Sequence, residues 1–435
     1  MNRRLALLLT AVAVTLVARG ASAQSQAAGS GAGQGQGEVT IGYQGLPYKA
    51  SGETATGIQV SEGVLMHVGA GAEAGYDSNV FYESFDPRGA AIMRTSLFAD
   101  ASNATRGGAT GRISFNMRAG LTYRRYQSDD TQVQQYSNAW MPSAGLALSM
   151  ASGQIGFGLA DTFVRLEDPP YNPGQPPITR YNNQASAELR WAPGGGRLTG
   201  TLRYMNMIDL IQGDFSYATS MTNAVMLDAS WKWLPKTAIF VNVTQGFVTY
   251  LEEPTPKAPS YPLRATAGLR GLLTEKTSVL LALGYTNAFY SSGASTNGIW
   301  GSTFADLSFT VRPTMLSRVV LGYRHGFENS VISNFYYSET AYASYVQQIA
   351  SRLALDLSGR YIYKNYQGLF DPATTGRVDN FFQVGATLDY FVRNWIYAGI
   401  GYAVLLNRGD VTAVGPAADV DYTKQQVFVR LGITY

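Results

Sequence analysis

The sequence predicts an all-β protein, a transmembrane antiparallel up-and-down β-barrel of about eighteen strands. Three observations predict it. Apolar residues alternate with small or polar ones in segment after segment, as a strand with one dry and one wet face requires. The connections alternate between short and long. Only 14% of the 435 residues are charged, against ~25% in soluble domains, and 28 are tyrosines.

The chain opens with Arg3 and Arg4, an apolar run over 5–17 and the small residues Ala21, Ser22 and Ala23, so residues 1–23 read as a secretory signal peptide. Without them the chain has 30 basic and 30 acidic side chains, which removes the electrostatic case for nucleic acid. The absence of cysteine excludes a disulfide framework and thiolate chemistry. No later run approaches the ~20 apolar residues of a spanning helix, so a membrane location implies a barrel. Residues 24–61 begin with QSQAAGSGAGQGQGE and read as a flexible periplasmic segment, and residues 62–435 as the barrel.

The first strand lies in 63–83, where Val64, Met66, Val68, Ala70, Ala72, Ala74 and Tyr76 alternate with His67, Gly69, Gly71, Glu73 and Gly75. In 113–124 alternation is cleanest: Arg118 and Arg124 fall on one face and nothing charged on the other. A charge near the midplane of the lipid face costs ~2–4 kcal/mol, so the arginine face is the wet one. Further strands are read at 94–102, 140–150, 155–166, 184–191, 198–209, 224–233, 238–250, 263–273, 279–289, 303–312, 318–327, 338–348, 353–366, 381–392, 395–407 and 424–435. Parity slips after Leu159, which predicts a β-bulge near Ala160. Tyrosine occurs in both registers of 338–348, and misreading that strand or its neighbour would make the count sixteen.

Short turns fall at 107–108, 151–153, 193–196, 235–236, 274–276, 313–315, 350–351 and 393–394. Longer loops include 167–182, 252–262, 368–378 and 408–421. Short periplasmic turns with long outer loops put both termini in the periplasm. A propeller or sandwich would carry a polar outer face without that alternation of turns.

The wet face collects Arg118, Arg124, Arg190, Arg203, Lys232, Arg264, Arg270, Arg312, Arg318, Arg324, Arg360, Lys364 and Arg430. Fewer acids share it: Glu73, Asp100, Glu188, Asp209, Asp228, Asp306, Asp356 and Asp389. This excess would favour anionic solutes or acidic sugars in an aqueous channel, whereas cross-strand pairing would merely fill the wall. Tyr123, Trp140, Trp191, Trp231, Trp233, Tyr250, Tyr285, Tyr323, Tyr390 and Tyr435 sit at strand ends and suit an interface girdle. Tyr126, Tyr171, Tyr366 and Phe428 are the better candidates for contact with a polysaccharide.

Nothing points to an enzyme, a cofactor or a metal. His67 and His325 lack a paired metal spacing and a catalytic set around them. GAGAEAG leads into no helix and so is not a dinucleotide loop. Asp77, Asn79, Asp129 and Asp130 offer oxygens that calcium could use, but they also suit solvated turns.

At Glu73–Glu83 the sequence resembles a family of β-barrel porins whose members accompany exopolysaccharide gene clusters. The motif is Tyr76, Asp77, Asn79, Val80 and Phe81 at the end of the first strand. The resemblance implies an outer-membrane conduit for a secreted polysaccharide, working with a periplasmic polysaccharide-export protein and an inner-membrane polymerase or co-polymerase. Val427, Val429, Leu431, Ile433 and Tyr435 look like the terminal-strand signal read by barrel-assembly machinery. The alternatives are a general or mildly anion-selective diffusion porin for small solutes, and a closed structural or adhesive barrel.

Overall fold

The computed structural model describes residues 57–61, 64–103, 113–136, 138–171, 174–291, 302–350, 352–393, 395–413 and 419–435. The expected signal peptide, the Gly-rich tether and the turn at 107–108 lie outside these residues. The strands are β1 (Ile58–Ser61), β2 (Val64–Asp77), β3 (Ala90–Ser102), β4 (Ile113–Gln127), β5 (Ala139–Ser152), β6 (Ile155–Asp168), β7 (Ile178–Trp191), β8 (Leu198–Ile211), β9 (Ser220–Leu234) and β10 (Thr237–Tyr250). They continue with β11 (Leu263–Leu272), β12 (Thr277–Asn287), β13 (Thr303–Val311), β14 (Ser317–Asn329), β15 (Ser333–Ile349), β16 (Leu353–Leu369), β17 (Thr374–Arg393), β18 (Ile396–Ala413) and β19 (Tyr422–Thr434).

Each strand from β2 to β19 pairs antiparallel with the next, and β19 pairs back onto β2 from Gln426↔Asp77 to Thr434↔Gly69. The eighteen-stranded ring is therefore closed, which leaves no unpaired edge among its strands. The 338–348 segment is a genuine strand, β15, so the higher count holds. Short β1 pairs with β2 at Ile58↔Met66, just beyond the point where Val68 exchanges backbone hydrogen bonds with Tyr435. β1, within the stretch expected to be a flexible segment, is thus paired with the first barrel strand.

The alternation sorts the two faces as a bilayer demands. On β19, Val427, Val429, Leu431 and Ile433 are exposed on the outside, while Lys424, Gln426 and Phe428 are buried inside. Trp140, Trp191, Trp231, Trp233, Tyr285, Tyr390 and Tyr435 point outward at strand ends, where amphipathic rings suit the headgroup zones. Tyr250 does not join them: its hydroxyl turns to Asn329 in the loop network. β15 to β18 have 17 to 20 residues, against 9 to 11 in β11 to β13, so one side of the wall stands taller on the loop side.

The bulge expected near Ala160 is absent. Both ladders of β6 run without a register shift, from Ser143↔Val164 to Ser152↔Ile155 and from Ile155↔Trp191 to Asp168↔Ile178. Asp161 and Arg165 therefore do face outward. Polar neighbours make that tolerable: Asn183 donates to Asp161 at 3.1 Å, and Arg165 donates to the Trp140 carbonyl at 2.5 Å and to Glu167 at 2.9 Å. The β5–β6 ladder ends at Ser143↔Val164, and Arg165 and Glu167 fill the opening above it.

Glycines of β2 face the interior because rings lie against them. A Cβ at Gly69 would fall 2.0 Å from the Phe98 ring, and one at Gly75 2.7 Å from the Phe428 ring and 2.0 Å from the Val427 carbonyl.

Candidate functional site: the lumen and its outer chamber

Register fixes which side chains share the interior. Thr244, Arg264, Asn242 and Met226 line the internal cavity, and the directly opposed pairs around the ring extend that face to every strand. Arg118, Arg124, Arg190, Arg203, Lys232, Arg264, Arg270, Arg318, Arg324, Arg360, Lys364 and Arg430 all fall on it, as do the eight acids. Arg312 lies just past the end of β13, where its backbone N–H donates to Lys276.

The acids are largely taken by arginines. Glu188–Arg203 (2.6 Å), Asp306–Arg324 (2.7 Å), Asp228–Arg270 (2.9 Å), Asp209–Arg180 (3.4 Å) and Glu73–Arg94 (3.5 Å) are ion pairs, and Asp389 accepts from Arg430 Nε at 2.8 Å. Asp100 meets His67 at 3.1 Å. Among the described residues Arg118, Arg190, Lys232, Arg264, Arg312, Arg318, Arg360 and Lys364 have no carboxylate within the 4.0 Å of an ion pair.

The outer loops fold inward. After β2, Val80, Phe81 and Tyr82 are all at least 97% buried. Phe81 and Val80 pack with Ile92, Tyr126, Phe428 and Val133 of helix α1 (Thr131–Tyr136), which Asp130 caps by accepting from the N–H groups of Gln132 and Val133. Tyr82 packs instead on Ile362, Phe381, Ala403, Leu405 and Tyr422 of the opposite run of wall. Tyr126 and Phe428 are thereby core residues, withdrawn from any contact with a solute.

Asp77 and Asn79 fasten this loop. Asp77 is fully buried and accepts from Gln426 (2.7 Å), Lys424 (2.8 Å), Tyr126 (3.0 Å) and the backbone of Asn79 (3.0 Å). Asn79 donates to the carbonyls of Glu83 and Thr423 and accepts from the Glu83 N–H. Their oxygens are fully engaged in the turn.

Other loops cross the mouth and join. Gly174 donates to Phe81, Tyr217 donates to Val331, and Arg377 of β17 donates to the Tyr171 carbonyl. Lys257, in the loop after β10, donates to Asn329 Oδ1 (2.7 Å) and to the carbonyls of Ser330 (2.6 Å), Ser333 (2.9 Å) and Asn334 (3.2 Å). Its burial pushes the ammonium down to about 7.

Beneath these loops is a chamber whose space, counted out to open solvent, is about 2190 Å³. Tyr82, Tyr171, Tyr290, Tyr336, Tyr366 and Tyr422 line it, with four acids and four bases. Arg180 stands between Asp168 (3.3 Å) and Asp209 (3.4 Å), and Arg377 pairs with Asp379 at 3.0 Å. Tyr336 donates to Glu328 at 2.8 Å.

Sequence reading missed Asp168, Arg180, Glu328, Arg377 and Asp379. Four of them lie in 167–182 or 368–379, stretches read as loop or past a predicted strand end. Strands β6, β7 and β17 continue there beyond the lipid band, where both faces are wet and the alternation fades. Arg94 was legible, since it shares parity with Asp100 on β3.

No protein-family profile matches the chain, and no curated protein matches it. Among solved structures it is similar to OccAB3 of Acinetobacter baumannii, at 10% identity over 85% of this chain and 99% of that one, with a TM-score of 0.45. OccAB4 of the same organism is 12% identical over 85% and 98% of the two chains, at 0.43. The siderophore receptor PirA of Pseudomonas aeruginosa is 10% identical over 84% and 80%, at 0.41. The fold assignment rests on the closed ladder itself. A closed antiparallel barrel with an apolar outer band, aromatic ends and a charged interior is an outer-membrane protein.

Among the described residues no cluster of three His, Cys, Asp or Glu side chains could hold a metal ion.

Proposed function

We propose that this barrel is a passive porin for small hydrophilic solutes, with a mild preference for anions. The observation that carries the reading is the mismatch of charge in the lumen. Of the eight inward acids expected from the sequence all but Asp356 face a basic partner, whereas among the described residues Arg118, Arg190, Lys232 and Arg318 have no carboxylate within 4.0 Å. An aqueous bore carrying surplus fixed cations concentrates anions. Purified protein in a planar bilayer under a salt gradient should pass current with an anion-selective reversal potential. A preparation that inserts but never conducts would favour the closed structural barrel.

Export of a secreted polysaccharide is the second reading, favoured by the Tyr76, Asp77, Asn79, Val80, Phe81 signature. It ranks behind the first because loops interlocked by Lys257, Tyr217 and Arg377 would have to part for a polymer to pass. It calls for a periplasmic export protein as partner. Unchanged surface polysaccharide after deletion of the gene would sink it.

A further inference from the structure

The chamber contains a buried cation with nothing to hold. Lys364, on the inner face of β16, is 6% exposed, and among the described residues its ammonium neither donates a hydrogen bond nor meets a carboxylate within 4.0 Å. Its ammonium lies over the face of the Tyr336 ring, 4.6 Å from Nζ to the centroid. Acids are near enough to act on it electrostatically, namely Glu328, Asp379 and Asp168. Each of those is engaged elsewhere, by Tyr336, Arg377 and Arg180 respectively.

The converse deficit is present in the same chamber. Asp168 gives one carboxylate oxygen to Arg180, and its other oxygen, Oδ1, is buried without a partner. Glu328 is bonded by a neutral phenol and by no cation within 4.0 Å among the described residues. The lining as a whole balances: Asp168, Asp209, Glu328 and Asp379 against Arg180, Arg264, Lys364 and Arg377.

We infer that this chamber is a binding site for a small zwitterion, whose carboxylate is received by Lys364 and whose ammonium is received by Asp168 and Glu328. Buried charges without partners are costly until an opposite charge meets them. A lone anion would satisfy Lys364 and leave the acids uncovered, and would add net charge to a neutral cavity. A sugar hydroxyl neutralises neither end. A zwitterion meets both deficits and keeps the balance. The inference rests on the porin reading only for the route by which the ligand arrives.

The test is calorimetric titration of the full-length protein in detergent with glycine, β-alanine and γ-aminobutyrate, which step the charge separation. Acetate, methylammonium and glucose are the controls. At least one zwitterion should bind about tenfold or more tighter than every control. Lys364→Met should weaken it about ten- to hundredfold, the loss of one charge-assisted contact, and Asp168→Asn should weaken it too. Lys364→Arg should keep binding within about tenfold, which separates a lost charge from a misfolded barrel. Acetate or glucose binding as tightly as the zwitterions, no binding at all, or undiminished binding by Lys364→Met would overturn the site. Conductance of the same preparation is read separately, so a conducting barrel that binds no zwitterion leaves the porin reading standing and removes this one.

Discussion

The ammonium of Lys424 lies 2.8 Å from the carboxylate of Asp77, and neither side chain is more than 1% exposed. One stands at the end of β2 and the other near the start of β19, so this pair, with Gln426 and Tyr126 on the same carboxylate, ties the seam of the ring at its outer end. Removing one partner of a buried ion pair leaves the other charge uncompensated, at a cost of about 3–5 kcal/mol. Asp77→Ala should therefore lower the temperature at which the folded barrel loses its heat-modifiable gel mobility. Asp77→Ala with Lys424→Met should recover part of the loss, because the stranded ammonium is gone. A double variant no more stable than Asp77→Ala would show that the pair is not the cause.

A second relationship passes through the wall. Arg124, on the inner face of β4, reaches Glu167 of β6 at 2.6 Å, and Glu167 holds the outward-facing Arg165 at 2.9 Å. This chain stands where the β5–β6 ladder has ended. Glu167→Gln should loosen that corner by about 1–3 kcal/mol, the penalty of buried polar groups left poorly satisfied. Amides of 139–141 should exchange faster with solvent, and those of 146–152, inside the ladder, should not. Equal acceleration across β5 would mean that the chain supports the whole strand instead.

These two sites mark where sequence reading was sufficient and where it stopped. All eighteen barrel strands were legible, because each buries one face against lipid and one against water, and that contrast writes a period of two into the residues. The parity of Arg118, Arg203 and Arg324 followed directly. The outward Asp161 and Arg165 were misread as a bulge, since the pattern alone says that a charge belongs inside and cannot show Asn183 or the Trp140 carbonyl waiting for it. Of the chamber, Asp209, Arg264, Lys364, Tyr171 and Tyr366 were legible, while its other charges were illegible for a different reason. Asp168, Arg180 and Arg377 stand on strand ends above the membrane, where no solvent contrast marks a face, and they converge through loops whose inward fold depends on contacts far apart in the chain.

Arg318 and Arg324 share the inner face of β14, yet only Arg324 has a carboxylate partner, Asp306 at 2.7 Å. Arg318→Gln removes a charge with no ion-pair partner within 4.0 Å among the described residues, at an exposed position, and should move the reversal potential towards cations with a stability change within about 0.5 kcal/mol. Arg324→Gln removes the same charge and also strands the buried Asp306, so it should cost about 1–3 kcal/mol. Because Asp306 is freed to act on passing ions, Arg324→Gln should also shift selectivity at least as far. The triple replacement of Arg118, Arg203 and Arg324 should shift it further still. A lumen whose selectivity ignores all of these changes would not be governed by its fixed charges.

Lys257 gives the mouth a dependence on pH. Latched, its Nζ lies within 3.2 Å of four oxygens of 329–334 and over the rings of Tyr250 and Phe370, and burial lowers it to about 7. Unlatched, it returns to its ordinary 10.5. The phenol of Tyr250 lies beside it, and Tyr290 shares the Asn334 carbonyl with it; burial holds Tyr290 far above its usual range, so it stays protonated at neutral pH. Between about pH 7 and 10.5 the unlatched loop binds more protons, so raising the pH favours the latched form, by up to about tenfold per unit. Below about 7 both forms are protonated and the dependence levels off. The chain has no cysteine, so a spin label placed through Glu253→Cys, on the exposed part of this loop, reports the latch alone. Its mobile fraction should grow as pH falls from 9 to 7 and then hold steady, and Lys257→Met should flatten the curve. A profile unchanged by Lys257→Met would assign the pH dependence to another group.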